Sequence, residues 1–358
     1  MQKYYSDDWQ SATIKFANNA RKFGDVKWCI ANNHKYDIPY VSIGDGPNKV
    51  VICSGIGGLD AFYGSAAQNM FLDKFAPLLT QKMLEQYTIV LIHVVNGWGM
   101  DNKMHEVLDQ NNKLVDLDRN FLPDFSKLPH LDKHYKSIND LFVSKPNRTK
   151  LKNISDAINC VKVMNMGDYI DVGQYENSDW LFYGGNKPTV ENRMLTSIYK
   201  KILQGATSVK NINLRIDGGV RDLFCRNTGL LRVRHNVAHP STVFYKNICG
   251  WTAFKQVANA KNGAFSDKLE SDCAAQKLPI YSADFCIENN IHAFDELKCK
   301  NMGDAKYEFN KYGAVSDNVT DNLMKLFCPA DRMWRESAMH NTYNIFRDIN
   351  INLLQKCK

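Results

Sequence analysis

Two apolar runs that each end in a glycine-rich turn constrain the fold of this chain most. Lys49–Cys53 leads into Ser54–Gly58, and Thr88–Val95 leads into Asn96–Gly99. Uninterrupted apolar runs of this length are typical of strands that are buried on both faces of a sheet. The pattern therefore predicts two buried strands in the first third of the chain, each followed by a turn.

Helical patterns alternate with these strands and with later strand candidates. Ser6 is placed to cap a helix whose apolar face carries Trp9, Phe16 and Ala20. Further helices are predicted at 61–75, 191–203 and from 334 onward, and further strands at 211–216 and 278–285. Because strands alternate with helices, the sequence predicts an α/β class. Residues 122–153 are polar and rich in lysine and proline, so we expect a surface excursion there.

The composition is that of a globular protein. The 358 residues are 44% hydrophobic and 23% charged, which excludes a disordered chain, a coiled coil and a collagen-like fibre. No apolar run reaches the roughly 18–20 residues of a membrane helix, and the first residues lack the apolar core of a signal peptide. We therefore expect a cytoplasmic protein, with delivery as an effector left open. Ten cysteines without a C-x-x-C motif favour reduced thiols over disulfides or a zinc finger.

Charge gives no support for a nucleic-acid or membrane partner. Lysine and arginine number 45 against 38 acidic residues, a net charge of +7 that is spread along the chain. The short basic clusters at 145–152 and 226–235 are not interleaved with aromatic residues in a known binding module. We interpret them as solvated surface.

Several predicted strands end in segments rich in glycine, aspartate and arginine. In open α/β sheets ligands bind where the carboxyl ends of strands meet, so these segments could form one pocket. The alternative is that the glycines only permit tight turns. The segments are 54–65, 96–99, 116–121, 215–219 and 284–286.

Two histidine pairs have the i, i+4 spacing that can hold a metal on a helix. They are His130 with His134 and His235 with His239. Neither has the glutamate of an H-E-x-x-H motif, and Pro240 disfavours helix at His239. P-loop, G-x-S-x-G and G-x-G-x-x-G motifs are absent from the sequence. Surface or structural histidines are the simpler interpretation.

Five blocks in order resemble the zinc carboxypeptidase-like (funnelin-type) metallopeptidase superfamily, in an uncharacterised bacterial branch. The blocks cover nearly the whole chain, and they are 5–20, 54–66, 115–121, 173–188 and 327–337. Val115–Phe121, for example, reads VDLDRNF and is similar to the superfamily's VDLNRNF signature. The resemblance implies one domain over 1–358 with three layers, a mixed central β-sheet flanked by helices. It also implies substrate-binding roles for Arg119, Asn120 and Tyr183.

The positions that bind zinc in the superfamily are changed in this sequence. Aligned by its flanks, the first turn has Gly57 in place of a histidine ligand and Asp60 in place of a glutamate ligand. Arg215 stands where the third ligand, a histidine, is expected, and Asp284 stands at the position of the catalytic glutamate. Catalytic zinc needs three protein ligands, and a permanent guanidinium cation would repel it. The former metal-site positions Gly57, Asp60 and Arg215 therefore predict no metal and no cofactor.

The charges at these positions suggest an ion-pair cluster. Asp60 and Asp284 could surround Arg215, whose guanidinium would stand in for the metal and make two buried acids tolerable. The alternative is that Arg215 points elsewhere. Arg119 keeps the guanidinium whose two parallel N–H donors suit a carboxylate ligand. It could instead form an internal salt bridge, with Asp118 as one partner.

We therefore expect a catalytically degenerate carboxypeptidase-like protein that is not an enzyme. It would bind a peptide-like or small anionic ligand or a protein partner, with self-association also open. The alternative is an active metallo-carboxypeptidase or amide hydrolase with a remodelled site, in which zinc would return as cofactor and Asp284 would act as the base.

Overall fold

The structure is a computed structural model. It describes residues 1–32, 34–130, 135–143, 173–218, 229–233, 244, 254–256, 264–289 and 294–350. Cysteines in these ranges are free thiols, and they are Cys29, Cys53, Cys273, Cys286, Cys299 and Cys328. Among these ranges there is no helix with both the length and the apolar character needed to cross a bilayer.

A mixed eight-stranded sheet forms the centre of the fold, in the order β1-β2-β4-β3-β7-β10-β8-β9. Its strands are β1 (Val26–Cys29), β2 (Ile38–Ile43), β3 (Asn48–Ser54), β4 (Tyr87–Ile92), β7 (Ser208–Gly218), β8 (Gly229–Val233), β9 (Phe254–Gln256) and β10 (Ile280–Asn289). The central strands β4, β3, β7 and β10 are parallel, whereas β1, β2 and β8 pair antiparallel with their inner neighbours. A separate hairpin joins β5 (Val107–Leu108) to β6 (Leu114–Val115).

Helices cover both faces of this sheet, so the predicted α/β class with three layers is confirmed. The α-helices are α1 (Trp9–Ala20), α2 (Asp60–Lys74), α3 (Gln81–Gln86), α4 (Gly97–Asp101), α5 (Tyr135–Phe142), α6 (Val190–Leu203), α7 (Phe265–Ala275), α8 (Phe294–Tyr312), α9 (Asp317–Phe327) and α10 (Arg332–Ile349). Short 3-10 helices lie at Gln2–Tyr4, Ala76–Leu78 and Leu117–Arg119. Helices α1, α2, α8, α9 and α10 pack in one core, and α6 and α7 pack in the other.

The first helix shows how local sequence sets an element. Phe16 and Ala20 are fully buried, as their spacing predicted. The predicted cap was wrong, because the Asp8 carboxylate, not Ser6, accepts the backbone N–H of Ser11 at 2.6 Å. A carboxylate also complements the helix dipole at this end.

The strand predicted over 88–95 ends earlier than expected. Strand β4 stops at Ile92, and Val94 has a φ of +40°. A β-branched residue rarely adopts this left-handed backbone, and no ladder continues through it. The chain therefore leaves the sheet three residues before the apolar run ends.

The predicted surface excursion is only partly on the surface. Residues 123–130 are mostly exposed, but α5 packs on the core, where Tyr135 is fully buried and its hydroxyl donates to the carbonyl of Leu181 at 2.9 Å. Prolines and lysines dominate the composition of the segment and conceal this short amphipathic helix. Residues 144–153 lie outside the described residues.

Candidate functional site

Two adjacent parallel strands position the centre of the candidate site. The register of β7 and β10 places Asn213 beside Asp284 and Arg215 beside Cys286. The intervening residues Leu214 and Phe285 point into the core below α2. Because side chains alternate along a strand, Asn213, Arg215 and Asp284 share the opposite face.

The guanidinium of Arg215 lies among three carboxylates. Its Nη1 donates to Asp118 Oδ2 at 2.7 Å and lies 3.8 Å from Asp284 Oδ2, and its Nε lies 3.9 Å from Asp60 Oδ2. Arg215 is 8% exposed and Asp284 6%, and Asp60 and Asp118 are buried still more deeply. Four elements that are distant in sequence thus meet in one buried ion-pair cluster, which we call the Arg215 cluster: Asp60, Asp118, Arg215 and Asp284.

Hydrogen bonds to the backbone and to an amide orient two of these acids. Asp60 lies in the first turn of α2, and its Oδ1 accepts the N–H of Ile216 at 3.3 Å. Asp284 Oδ1 accepts a 2.9 Å bond from Asn213 Nδ2. Each acid therefore turns its other oxygen, Oδ2, toward Arg215, which fixes the geometry of the cluster.

Burial and charge act in opposite directions on the pKa of Arg215. Desolvation lowers this pKa, but the charges of Asp118, Asp284 and Asp60 raise it well above the usual value. The guanidinium is therefore a permanent cation in the folded protein. Three carboxylates at this depth would be costly without it.

Asp60 and Asp284 lie around Arg215, as one of the two alternatives expected, but their contacts with the guanidinium are longer than those of a directly hydrogen-bonded cluster. Both acids lie within ion-pair range, but beyond the roughly 3.2 Å of a direct hydrogen bond. The direct partner is Asp118, which sequence reasoning considered only as a partner of Arg119. A signal was available, because Asp118 replaces a neutral asparagine of the VDLNRNF signature and so offers an additional possible partner for a cation at position 215.

Arg119, predicted to bind substrate, is paired within the protein. Its guanidinium forms an ion pair with Asp116 and lies 4.5 Å from the centre of the Phe182 ring, and the residue is 1% exposed. Gly173 packs so closely that a Cβ there would lie 2.2 Å from Arg119 Cδ. This arrangement matches the internal salt bridge left open above, with Asp116 as the partner instead of Asp118.

Asn120, also predicted to bind substrate, links its own segment to residues 184–189 by hydrogen bonds. Its Nδ2 donates to the carbonyls of Gly184 at 2.7 Å and Lys187 at 2.9 Å, and its Oδ1 accepts the N–H of Thr189 at 2.8 Å. Thr189 in turn caps α6. The side chain of Asn120 thus has backbone partners for both of its polar atoms.

Tyr183, the third predicted substrate-binding residue, lies in the neighbouring chain segment. It is buried, its carbonyl accepts the N–H of Asp116 at 2.7 Å, and burial raises the pKa of its hydroxyl. The three residues Arg119, Asn120 and Tyr183 therefore lie in adjoining segments next to Asp118 of the Arg215 cluster.

The glycine-rich turn after β3 is covered by the segment that follows α4. A Cβ at Gly58 would lie 2.4 Å from backbone atoms of Gly99 and Met104, and a Cβ at Gly57 would lie 2.6 Å from His105 Cε1. Gly58 also donates its N–H to the carbonyl of His105 at 3.0 Å. Close packing, and not only turn geometry, therefore requires glycine at positions 57 and 58. The sequence analysis did not identify His105 as a neighbour of this turn.

The residues at the former metal-site positions do not fit a zinc ion. Gly57 offers no ligand atom, and Arg215 places a buried cation between the acids that would have to bind the metal. Over the ranges that the structure describes, no group of three histidine, cysteine or acidic side chains is arranged to hold a metal ion.

The other motifs singled out in the sequence contribute little to this site. His130 is exposed, and its predicted partner His134 lies outside the described residues. The pair His235 and His239 also lies outside them, as do the basic clusters at 145–152 and 226–235, apart from Gly229–Val233 of β8.

Comparison with known proteins supports the fold. The family model described as "Protein of unknown function (DUF2817)" matches residues 5–341. No curated protein matches the chain. Bovine thrombin-activatable fibrinolysis inhibitor, solved in complex with tick carboxypeptidase inhibitor, is 10% identical with a TM-score of 0.51 over 98% of both chains.

Two further solved structures are similar. A second structure of thrombin-activatable fibrinolysis inhibitor is 11% identical with a TM-score of 0.52, over 96% of this chain and 73% of that one. Carboxypeptidase A from Helicoverpa armigera is 11% identical with a TM-score of 0.45, over 93% of this chain and 73% of that one. At these identities the likeness to the two structures of thrombin-activatable fibrinolysis inhibitor shows the fold alone.

Proposed function

The chain belongs to the DUF2817 family and has a carboxypeptidase-like fold, and from this premise we propose that it is a metallopeptidase relative that no longer hydrolyses peptides. In this proposal it is a degenerate member of a bacterial branch of the zinc carboxypeptidase superfamily. It acts as a binding protein for a peptide-like ligand or a protein partner.

The Arg215 cluster is the observation that carries this proposal. Metallocarboxypeptidase chemistry uses a dication that activates water and polarises the scissile carbonyl. Here a guanidinium lies between Asp60, Asp118 and Asp284. Arginine offsets part of the negative charge of the three acids, but it has no open coordination position at which water could be activated.

The neighbouring residues support the same interpretation. The polar groups of Arg119 and Asn120 face Asp116, the Phe182 ring and backbone groups of the protein. A terminal carboxylate would have to displace these contacts before it could bind. The ligand is therefore expected to make its contacts without the carboxylate anchor that the resemblance implied.

Metal content tests the loss of zinc directly. Protein purified without chelator should contain zinc far below one ion per chain by elemental analysis. Adding zinc should leave the melting temperature unchanged, because only a ligand bound by the native state raises it. Stoichiometric zinc released by a chelator would contradict the proposal.

Activity assays test the loss of hydrolysis. Peptides with free C-termini and N-acyl amino acids should remain uncleaved, by mass spectrometry, at enzyme concentrations near that of the substrate. Asp284→Asn supplies the matched control, because it removes the only carboxylate at the position of the catalytic base. Cleavage by the wild type that disappears in Asp284→Asn would establish the alternative, an active hydrolase with a remodelled site.

A further inference from the structure

His105 occupies the space in which a side chain at position 57 would begin. An ideal Cβ on Gly57 would lie 2.6 Å from His105 Cε1 and 2.9 Å from both His105 Nδ1 and Asp60 Oδ2. The φ of Gly57 is not among the positive values, so the backbone itself would accept an L-residue. The need for glycine therefore comes from the imidazole and the carboxylate beside it.

Contacts of both the side chain and the backbone hold His105 in place. Its Nε2 lies 3.9 Å from Asp116 Oδ1, and its ring centre lies 5.8 Å from that of Phe327 on α9. Its backbone carbonyl accepts the N–H of Gly58 at 3.0 Å and the Nδ2 of Asn96 at 3.2 Å. His105 is 4% exposed. Both its backbone and its side chain thus fasten the segment after α4 onto the turn after β3.

We propose that the imidazole of His105 occupies the space that a side chain at position 57 would need, so that it blocks this position of the candidate site. This inference deepens the proposed function and rests on it. It explains why a metal-binding side chain could not be restored at position 57 by a single substitution. Any side chain at position 57 must first displace His105. The site is therefore closed to a metal by packing as well as by the charge of Arg215.

A double-mutant cycle between Gly57 and His105 tests the inference. Gly57→Ala should lower the melting temperature by several degrees, because overpacking a tight contact is destabilising. In the His105→Ala background the same substitution should cost less than half as much, because two of the three atoms that the new Cβ meets belong to the imidazole and only Asp60 Oδ2 remains. Equal shifts in the two backgrounds would overturn the proposal.

Gly58 supplies the matched control. A Cβ there meets the backbone of Gly99 and Met104, which His105→Ala does not remove. Gly58→Ala should therefore be equally destabilising in both backgrounds. If His105→Ala rescued Gly58→Ala as well, the rescue would reflect general loosening of the segment, and the specific role of His105 would be refuted.

A crystal structure of Gly57→Ala decides the question if the His105→Ala background does not fold. The imidazole should be displaced from the turn, whereas an unmoved imidazole beside an ordered new Cβ at position 57 would refute the inference. The wild-type zinc content tests the proposed function separately. The two hypotheses can therefore fail independently.

Discussion

Arg215 Nη1 donates a 2.7 Å hydrogen bond to Asp118 Oδ2, joining residues 97 positions apart in sequence. The bond connects a central strand of the sheet to the 3-10 helix that follows β6. Its two partners are 8% and 2% exposed. Water competes little for such a bond, so its loss is expected to have a large effect.

Replacing Arg215 should strongly destabilise the fold. Arg215→Met leaves the acids around it without their guanidinium, and breaking a buried pair in this way typically costs about 3–5 kcal/mol. Urea unfolding measures the change. Arg332→Met is the matched control, because Arg332 pairs with Glu336 on the surface of α10 and its loss should not move the midpoint. Equal midpoints for the wild type and Arg215→Met would show that the cluster does not stabilise the protein.

Asn120 should behave as a structural residue. Asn120→Ala leaves two carbonyls and one N–H without their partner, which should cost roughly 2–4 kcal/mol in urea unfolding. Asn120→Asp keeps the shape but cannot donate, so it should be no better than alanine. Asn301→Ala removes a single exposed bond to the carbonyl of Leu297 and serves as control. If Asn120→Asp were as stable as the wild type, the bonds to Gly184 and Lys187 would be unimportant.

His93 should make the protein sensitive to acid. It is fully buried between Phe16 and Ser65, and burial lowers the pKa of its imidazole to about 3. The unfolded chain binds this proton below about pH 6.5, so stability is full above that pH and falls as the pH drops toward 3. Between pH 6.5 and 5 the loss should be about 2 kcal/mol.

Comparing the same substitution at His93 and at His340 separates this effect from general acid denaturation. His93→Gln cannot titrate, so the slope of stability against pH between 6.5 and 5 should be smaller than in the wild type. The same change at the exposed His340 should leave the slope unaltered. Parallel slopes for the wild type and His93→Gln would mean that the buried ring does not resist protonation.

Lys306 should make the stability of the protein rise with pH in the alkaline range. It is fully buried, its Nζ donates to the carbonyl of Leu114 at 3.2 Å, and burial lowers its pKa to about 8. The unfolded chain keeps this proton up to about pH 10.4, so stability should rise with pH between these values. Relative to Lys306→Met, the wild type should gain roughly 3 kcal/mol across this range. Lys325→Met, at an exposed position on α9, should show no such divergence.

The sequence predicted the elements whose apolar pattern is unbroken. Strand β3 and the buried face of α1 lie where the pattern placed them, because burial of apolar side chains drives both. Helix α5 was missed, because its short amphipathic pattern lies in a segment dominated by proline and lysine. The end of β4 was misplaced, because the positive φ of Val94 is imposed by the tertiary structure.

The residues of the candidate site were predicted from the family resemblance, and the strand register explains one of their contacts. Arg215 and Asp284 come together because β7 and β10 are neighbouring parallel strands. The contacts of Asp118 and His105 depend on how loops fold over the strand ends, and the hydrophobic periodicity of the sequence does not predict loop conformation. One usable signal was the replacement of a neutral asparagine by Asp118, which offers a partner for the cation at position 215.

The positive charge at the centre of the Arg215 cluster is covalently attached to β7. It is present as soon as the ribosome has made the strand, and no loading step, exchange or chelator can remove it. A bound ion would make the fold of this region depend on supply from the surroundings. The positive charge that these acids surround is instead part of the polypeptide itself.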